Sequence, residues 1–176
     1  MPRVITHREE HGAWVYEFAL HLDDAALTDG HIAIGVEARR WPRERPDAVQ
    51  HVTAEVTIQR QDERLMLVVA LNAGGAGIEA QSDELRWDLS QFVSVEQVLE
   101  AIPAWALTGD PITGCMVRAG LSTVVGQLLN CKNETAQINA WRERLLALGR
   151  CMVRHVPDMT TTAIRRTLGC IARFGF

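Results

Sequence analysis

The stretch HVTAEVTIQRQDERLMLVVALN, residues 51–72, decides the fold that the sequence predicts. Apolar and polar side chains alternate from Val52 to Ile58, which is the period of a half-buried β-strand. Residues 64–72 are apolar on both parities and predict a strand at the centre of a sheet. The polar connection at residues 59–64 is too short for a crossover, so the two strands are expected to pair antiparallel.

The period of two continues on both sides of this predicted hairpin. Residues 13–22 place tryptophan, tyrosine, phenylalanine and leucine on one parity, and residues 31–38 alternate again. Weaker strand patterns occur at residues 77–80 and 85–89. Short connections between successive strands predict an antiparallel meander. Residues 39–50 contain two prolines and predict an exposed loop.

After residue 90 the period changes to that of α-helices. A capping box at residues 94–97 predicts the start of the first helix. Asp110 followed by Pro111 predicts the start of the second. The third carries apolar residues at spacings of three and four, and Pro157 is expected to end it. The predicted helices span about residues 94–107, 111–130, 133–156 and 160–173.

Packing one apolar sheet face against these helices predicts an α+β fold: an antiparallel β-meander in the N-terminal half and about four C-terminal α-helices, in two layers. A single domain is expected over residues 1–176, with a β-rich acidic half at 1–92 and a helical basic half at 93–176. Residues 1–110 hold 9 basic and 19 acidic residues, whereas residues 111–176 hold 9 basic and 3 acidic ones. This polarised charge favours head-to-tail or heteromeric protein contacts.

The composition predicts a cytoplasmic protein. With 47% hydrophobic and 23% charged residues the chain is of globular type. Its N-terminus lacks the apolar segment of a secretory signal. The apolar residues 111–131 include an arginine and hydroxyl groups, which favours a buried helix over a membrane span. Lys132 is the only lysine, a bias typical of a GC-rich bacterial or phage genome. Four cysteines are expected to be reduced thiols: Cys115, Cys131, Cys151 and Cys170.

Two patterns raise the question of metal binding. The sequence HREEH, residues 7–11, has the spacing of a zinc peptidase motif, which requires a helix. A strand pattern follows it at once, so we predict a solvated polar lead-in. Cys151 and His155 lie one helical turn apart, which leaves open a site shared with another cysteine. The cysteine spacings of 16, 20 and 19 residues match no zinc-finger or ferredoxin pattern, so no metal, cofactor or catalytic residue is predicted.

Arginines of the last two predicted helices form the candidate binding surface. Guanidinium groups match phosphate geometry, so this basic face would bind nucleic acid or an acidic protein partner. The chain ends in two aromatic residues next to arginine, which we interpret as a candidate partner-docking tail formed by Phe174 and Phe176. The arginines of the candidate surface are Arg142, Arg150, Arg154, Arg165, Arg166 and Arg173.

Three functions follow from these patterns. The first is a non-enzymatic accessory or adaptor protein of a bacterial or phage cytosol, which binds a protein partner or a second copy of itself. The second is nucleic-acid binding through the arginine-rich helical face. The third is a small-ligand binder or enzyme whose pocket lies between sheet and helices, lined by Trp14, Tyr16 and Trp141.

Overall fold

The computed structural model describes residues 2–106 and 110–174, with side chains as far as Arg173. Six strands form one sheet in chain order, and every neighbouring pair is antiparallel. The predicted antiparallel meander is therefore confirmed. The strands are β1 (Arg3–His11), β2 (Trp14–Leu22), β3 (Ile32–Pro42), β4 (Gln50–Gln61), β5 (Arg64–Gly75) and β6 (Gln81–Asp88).

Most of the helical structure follows the sheet, which confirms the α+β prediction, although the described residues form five α-helices rather than about four. The additional helix is a single short turn between β2 and β3, which Asp23 caps by accepting hydrogen bonds from Ala25 N and Ala26 N. The helices are α1 (Asp24–Thr28), α2 (Val95–Glu100), α3 (Pro111–Glu134), α4 (Trp141–Arg154) and α5 (Val156–Phe174), with a 3₁₀ helix at Ala104–Ala106.

The core lies where one face of the sheet meets α3. This helix packs against β2, β3 and β4, and inward side chains such as Phe18, Ile34 and Leu67 are fully buried. By length and composition alone α3 could also cross a membrane, but 67% of its most apolar 18-residue window is buried inside the domain. That burial is typical of a core helix. The opposite sheet face carries polar side chains, among them the exposed Glu55 and Asn72.

The first strand was not predicted from the sequence. Residues 7–11, expected to be a polar lead-in, belong to β1, which pairs with β2 along its whole length. Its backbone hydrogen bonds hold it at the edge of the sheet despite its polar composition. Charged edge strands of this kind discourage pairing with further chains.

The predicted loop at residues 39–50 is also wrong in its bounds. β3 continues to Pro42, and β4 begins at Gln50. Arg39 and Arg40 therefore lie on a strand and point to opposite faces of the sheet, because successive strand residues alternate. This difference brings Arg40 into the cavity described below.

The helix boundaries differ from the predicted ones in several places, and the first helix ends at Glu100 rather than at about residue 107. α3 continues to Glu134, and α4 begins only at Trp141, so the predicted third helix starts eight residues too early. Pro157 does not end a helix but lies in the first turn of α5. Proline fits there because the first backbone N–H groups of a helix have no partner within the helix.

The prediction of four reduced thiols is contradicted, because all four cysteines are paired. Cys115 in α3 is bonded to Cys170 in α5, and Cys131 in α3 is bonded to Cys151 in α4. The disulfides therefore tie the two C-terminal helices to the core helix. Helix packing brings these residues together, and their spacing along the chain did not reveal it.

Candidate binding cavity and arginine surface

A cavity of about 210 Å³ lies between the sheet and the N-terminal end of α3. Its walls come from β3, β4, β5, the turn before β6, the 3₁₀ helix and the first turn of α3. The volume lies below the roughly 300–1,000 Å³ of pockets that hold drug-sized ligands. The cavity therefore suits one small group or one side chain. Its described lining consists of Arg40, Gln50, His51, Val52, Ala73, Ile78, Trp105, Ala106, Asp110, Thr113 and Gly114.

Asp110 forms the polar end of the cavity and is 8% exposed. Its carboxylate accepts hydrogen bonds from Ile112 N at 3.2 Å and Thr113 N at 3.1 Å, and from the Thr113 hydroxyl. These bonds make it the N-cap of α3, as predicted. The carboxylate thus lies at the N-terminus of α3, where its negative charge interacts favourably with the positive end of the helix dipole.

Arg40 neutralises this carboxylate from the sheet side. Its Nη1 lies 3.7 Å from Asp110 Oδ2, and its Nε donates to Gln50 Oε1 at 2.8 Å. The guanidinium also lies 4.0 Å from the centroid of the Trp14 ring, within the range of a cation–π contact. The cavity thus carries one cation and one anion, each held by several neighbours.

Tyr16 lies beside this ion pair and its ionisation is perturbed. Burial raises the pKa of the phenol above its ordinary value of 10.0, and the charge of Asp110 raises it further, while the hydrogen bond and charge of Arg40 act in the opposite direction. Because the pKa of Tyr16 is higher in the folded than in the unfolded protein, the neutral phenol contributes stability to the fold that is fully present below pH about 10. It is lost as the pH rises through the pKa of the folded state.

Tyr16 is the only tyrosine of the chain, so its titration can be followed directly. We expect the tyrosinate absorbance of the folded protein to appear at a pH above its midpoint in the denatured protein, which should lie at about 10. Tyr16→Phe should abolish this absorbance change and lessen the loss of stability at alkaline pH. A midpoint at or below 10 in the folded protein would contradict the buried environment of the phenol.

The remaining walls of the cavity are mostly apolar. Val52, Ala73 and Trp105 line its interior. Ile78 lines it as well and is one of the large apolar residues with substantial exposure, at 37%. A cavity with apolar walls and one balanced ion pair favours uptake of an apolar group with a polar edge.

The cavity is not lined by the residues that the sequence predicted for a pocket between sheet and helices. Trp14 and Tyr16 contact Arg40 and do not line the cavity. Trp141 lies under the guanidinium of Arg60, at 3.9 Å from the ring centroid. Arg40 was missed because residues 39–50 were predicted to be a loop. The alternation of the strand predicted at residues 31–38 continues for two more residues. This was the signal that could have placed Arg40 on the strand.

The six predicted binding arginines are all exposed, three on α4 and three on α5. Arg154 and Arg166, for example, have partners within the domain. Arg154 Nη2 lies 3.6 Å from Glu134 Oε2, and Arg166 Nη1 donates to the hydroxyls of Ser122 and Thr123 at 3.0 and 3.1 Å. Arg166 therefore also holds α5 against α3.

The docking tail remains a prediction. α5 ends at Phe174, and the Phe174 side chain and Phe176 lie outside the described residues. The HREEH pattern does not form a zinc site. In β1 its two histidines are four strand residues apart, roughly 13 Å, and His7 Nε2 instead lies 3.0 Å from Glu9 Oε1.

The charges of a cluster on the outer sheet face pair with one another. Glu17 accepts hydrogen bonds from Arg8 Nη2 at 2.8 Å and from Arg39 Nη2 at 2.6 Å. Both guanidinium groups also lie near the Trp41 ring, at 5.0 and 5.7 Å from its centroid. Because each charge has its partner within the cluster, we assign it a role in holding β1, β2 and β3 together.

Comparisons with protein-family models, with curated proteins and with solved structures found no match. The chain is therefore classified by its own fold and by the position of its cavity. The chain is a two-layer α+β protein with a six-stranded antiparallel meander, and its cavity lies between the sheet and the central helix.

Proposed function

We propose that this chain is an accessory or adaptor protein that acts through protein–protein contacts and takes up one apolar side chain of its partner in the cavity beside α3. The cavity itself is the observation that supports this most. Interface hot spots are commonly aromatic or aliphatic anchors that fill small desolvated pockets. A volume of about 210 Å³ with Ile78 at its wall suits such an anchor better than a whole cofactor.

The polar end of the cavity supports binding over catalysis. A catalytic acid or base needs a proton position within reach of the substrate. Asp110 instead caps α3 and pairs with Arg40, and Arg40 is in turn held by Gln50 and Trp14. An anchor with a hydrogen-bonding edge, such as a tyrosine or tryptophan of the partner, would meet these groups without displacing them.

The cavity can be tested by filling it. Ala73 is 7% exposed, lines the cavity and lies on the inner face of β5. We expect Ala73→Leu to lower the affinity for a partner captured from the source cell at least tenfold, because the added atoms occupy the space of the anchor.

Ala70→Leu is the matched control for this test. Ala70 lies on the same strand but at the opposite parity, so its side chain points to the outer face. The variant should bind the partner as the unchanged protein does. Equal binding by both variants would show that the partner does not use the cavity. The tryptophan fluorescence, to which Trp105 contributes, should change on binding in the unchanged protein and in Ala70→Leu, in which the cavity remains open.

The exposure of all six arginines favours nucleic-acid binding as a second candidate. Binding through these residues should weaken steeply with salt, since each phosphate contact releases a counterion. We expect the double variant Arg150→Glu/Arg154→Glu to lose most of any affinity for labelled DNA or RNA in fluorescence anisotropy.

A control with the same change of charge is Arg43→Glu/Arg45→Glu, because both residues are exposed in the connection between β3 and β4. It should leave binding through α4 and α5 unchanged. No binding at low salt would rule out this candidate, and the arginines would then be assigned to an acidic protein surface.

Two observations bear on the cellular compartment of the protein, and they point in opposite directions. The sequence favours a bacterial or phage cytosol, whereas disulfides persist mainly in oxidising compartments. Alkylation of the chain in its source cells distinguishes them: four reactive thiols are expected in the cytosol and none in an oxidising compartment. The zinc site proposed in the next subsection requires reduction of the Cys131–Cys151 pair.

A further inference from the structure

Three residues with metal-binding side chains meet where α3 ends beside the C-terminal part of α4, and a disulfide joins a fourth to them. The ligand atoms of Glu134, Cys151 and His155 all lie within 4.8 Å of one another. Cys131 is bonded to Cys151 through its sulfur. Each helix presents one pair at a spacing that brings side chains to the same face: Cys131 and Glu134 are three residues apart, and Cys151 and His155 are four apart.

One contact in this cluster is unsatisfied in the disulfide form. Glu134 Oε2 lies 3.3 Å from Cys151 Sγ. A disulfide sulfur carries no hydrogen, and an ionised carboxylate has none to donate. Two atoms with lone pairs therefore face each other. The exposed Arg154 guanidinium lies 3.6 Å from the same Glu134 oxygen and would move aside for a cation that binds both atoms.

We propose that reduction of the Cys131–Cys151 disulfide opens a zinc site formed by Cys151, His155 and Glu134, with Cys131 completing the tetrahedron. Zinc binds thiolate, imidazole and carboxylate ligands in four-coordinate sites. With zinc–sulfur bonds of about 2.3 Å, two thiolates on one ion lie about 3.8 Å apart. The disulfide and the metal therefore exclude each other, and the site reports the redox state of its surroundings.

The redox step needs a reductant of the dithiol class. A dithiol transfers two electrons and two protons to the disulfide, which yields the Cys131 and Cys151 thiols, and is itself oxidised to a disulfide. Zinc then binds the two thiolates and displaces their two protons. In the reverse step a disulfide-class oxidant accepts two electrons from the two thiolates and two protons from solvent and becomes a dithiol, while the Cys131–Cys151 disulfide forms again and the ion is released.

Groups around the cluster fit this role. Gln127 Nε2 lies 3.4 Å from Cys131 Sγ and can donate a hydrogen bond to a thiolate. Asp158 Oδ2 lies 3.7 Å from His155 Nδ1, close enough to form, after a small shift, the hydrogen bond by which carboxylates orient metal-binding imidazoles. The sulfurs are buried, whereas the Glu134 side chain is 54% exposed, so an ion would enter from its side.

Two single variants break the same disulfide and separate the proposal from a general effect of free thiols. Cys131→Ala leaves the Cys151 thiolate beside His155 and Glu134. It should bind one equivalent of Zn²⁺ without reductant, measured by competition with a chromophoric chelator. Cys151→Ala removes the sulfur that lies within 4.8 Å of the Glu134 and His155 ligand atoms. This variant should bind Zn²⁺ at least tenfold more weakly than Cys131→Ala.

The unchanged chain gives the second arm of the test. It should bind no Zn²⁺ when oxidised and one equivalent after treatment with a phosphine, which reduces the disulfide and becomes the phosphine oxide. Co²⁺ in place of zinc should show the absorption of a tetrahedral thiolate complex. His155→Ala, a change at a partly exposed residue, should weaken binding by the reduced chain at least tenfold. Absence of stoichiometric binding after reduction, or equal binding by Cys131→Ala and Cys151→Ala, would overturn the proposal.

Discussion

Replacement of both Cys115 and Cys170 by alanine is expected to lower the free energy of unfolding by about 4 kcal/mol, because this disulfide closes a loop of 55 residues. A crosslink stabilises the folded state mainly by restricting the unfolded chain, and the effect grows with the logarithm of loop length. Here it also ties α5 to α3, the two helices with the most extensive mutual contact. Urea denaturation of the oxidised protein measures the difference.

The second disulfide supplies the comparison for this prediction. Cys131 and Cys151 are 20 residues apart, so their replacement by alanine should cost about 3 kcal/mol, less than the first pair. Adding a phosphine reductant to the unchanged protein should remove both contributions at once. If replacement of Cys115 and Cys170 leaves the unfolding midpoint and slope unchanged, that disulfide does not form in the protein.

The sequence predicted the sheet best where one face of a strand is buried. In β3 and β4 the alternation of side chains follows directly from that burial, whereas β2, predicted to be half-buried, is buried on both faces. β1 shows how the rule fails. Its side chains are mostly polar, and its place in the sheet depends on backbone hydrogen bonds to β2, which no side-chain pattern records.

The candidate cavity illustrates a different limit. Asp110 was recognised as a helix cap from its neighbour Pro111, and the structure confirms this role. Its ion pair with Arg40 joins residues 70 positions apart and depends on how far β3 extends. Local patterns cannot give such a contact, because it arises only once the sheet and α3 are packed together.

The cysteines show the same limit more sharply. The predicted cytoplasmic compartment suggested free thiols, but Cys131 and Cys151 meet because α3 is longer and α4 starts later than the periodicity predicted. The helical turn that links Cys151 to His155 was visible in the sequence. The approach of Glu134, at the end of the extended α3, was not.

Gly149 of α4 lies against the backbone of α1. A Cβ built on this residue would lie 1.7 Å from the carbonyl oxygen of Leu27 and 2.7 Å from its carbonyl carbon. Leu27 belongs to α1 and is fully buried, so the obstacle is a fixed backbone and not the end of a flexible side chain. We expect Gly149→Ala to lower the free energy of unfolding by about 3 kcal/mol, the upper range of overpacking effects.

Gly126 of α3 provides the control that separates the steric effect of an added Cβ from the effect of alanine on helix propensity. A Cβ on Gly126 would meet only Val95 Cγ2, at an ordinary contact distance of 3.7 Å. Gly126→Ala should therefore stabilise the protein by about 0.5–1 kcal/mol, since alanine favours the helix. Thermal and urea denaturation of both variants give the two values. Opposite signs at two helical glycines would establish that α4 is seated against α1, whereas a stabilising Gly149→Ala would require that the two helices lie further apart.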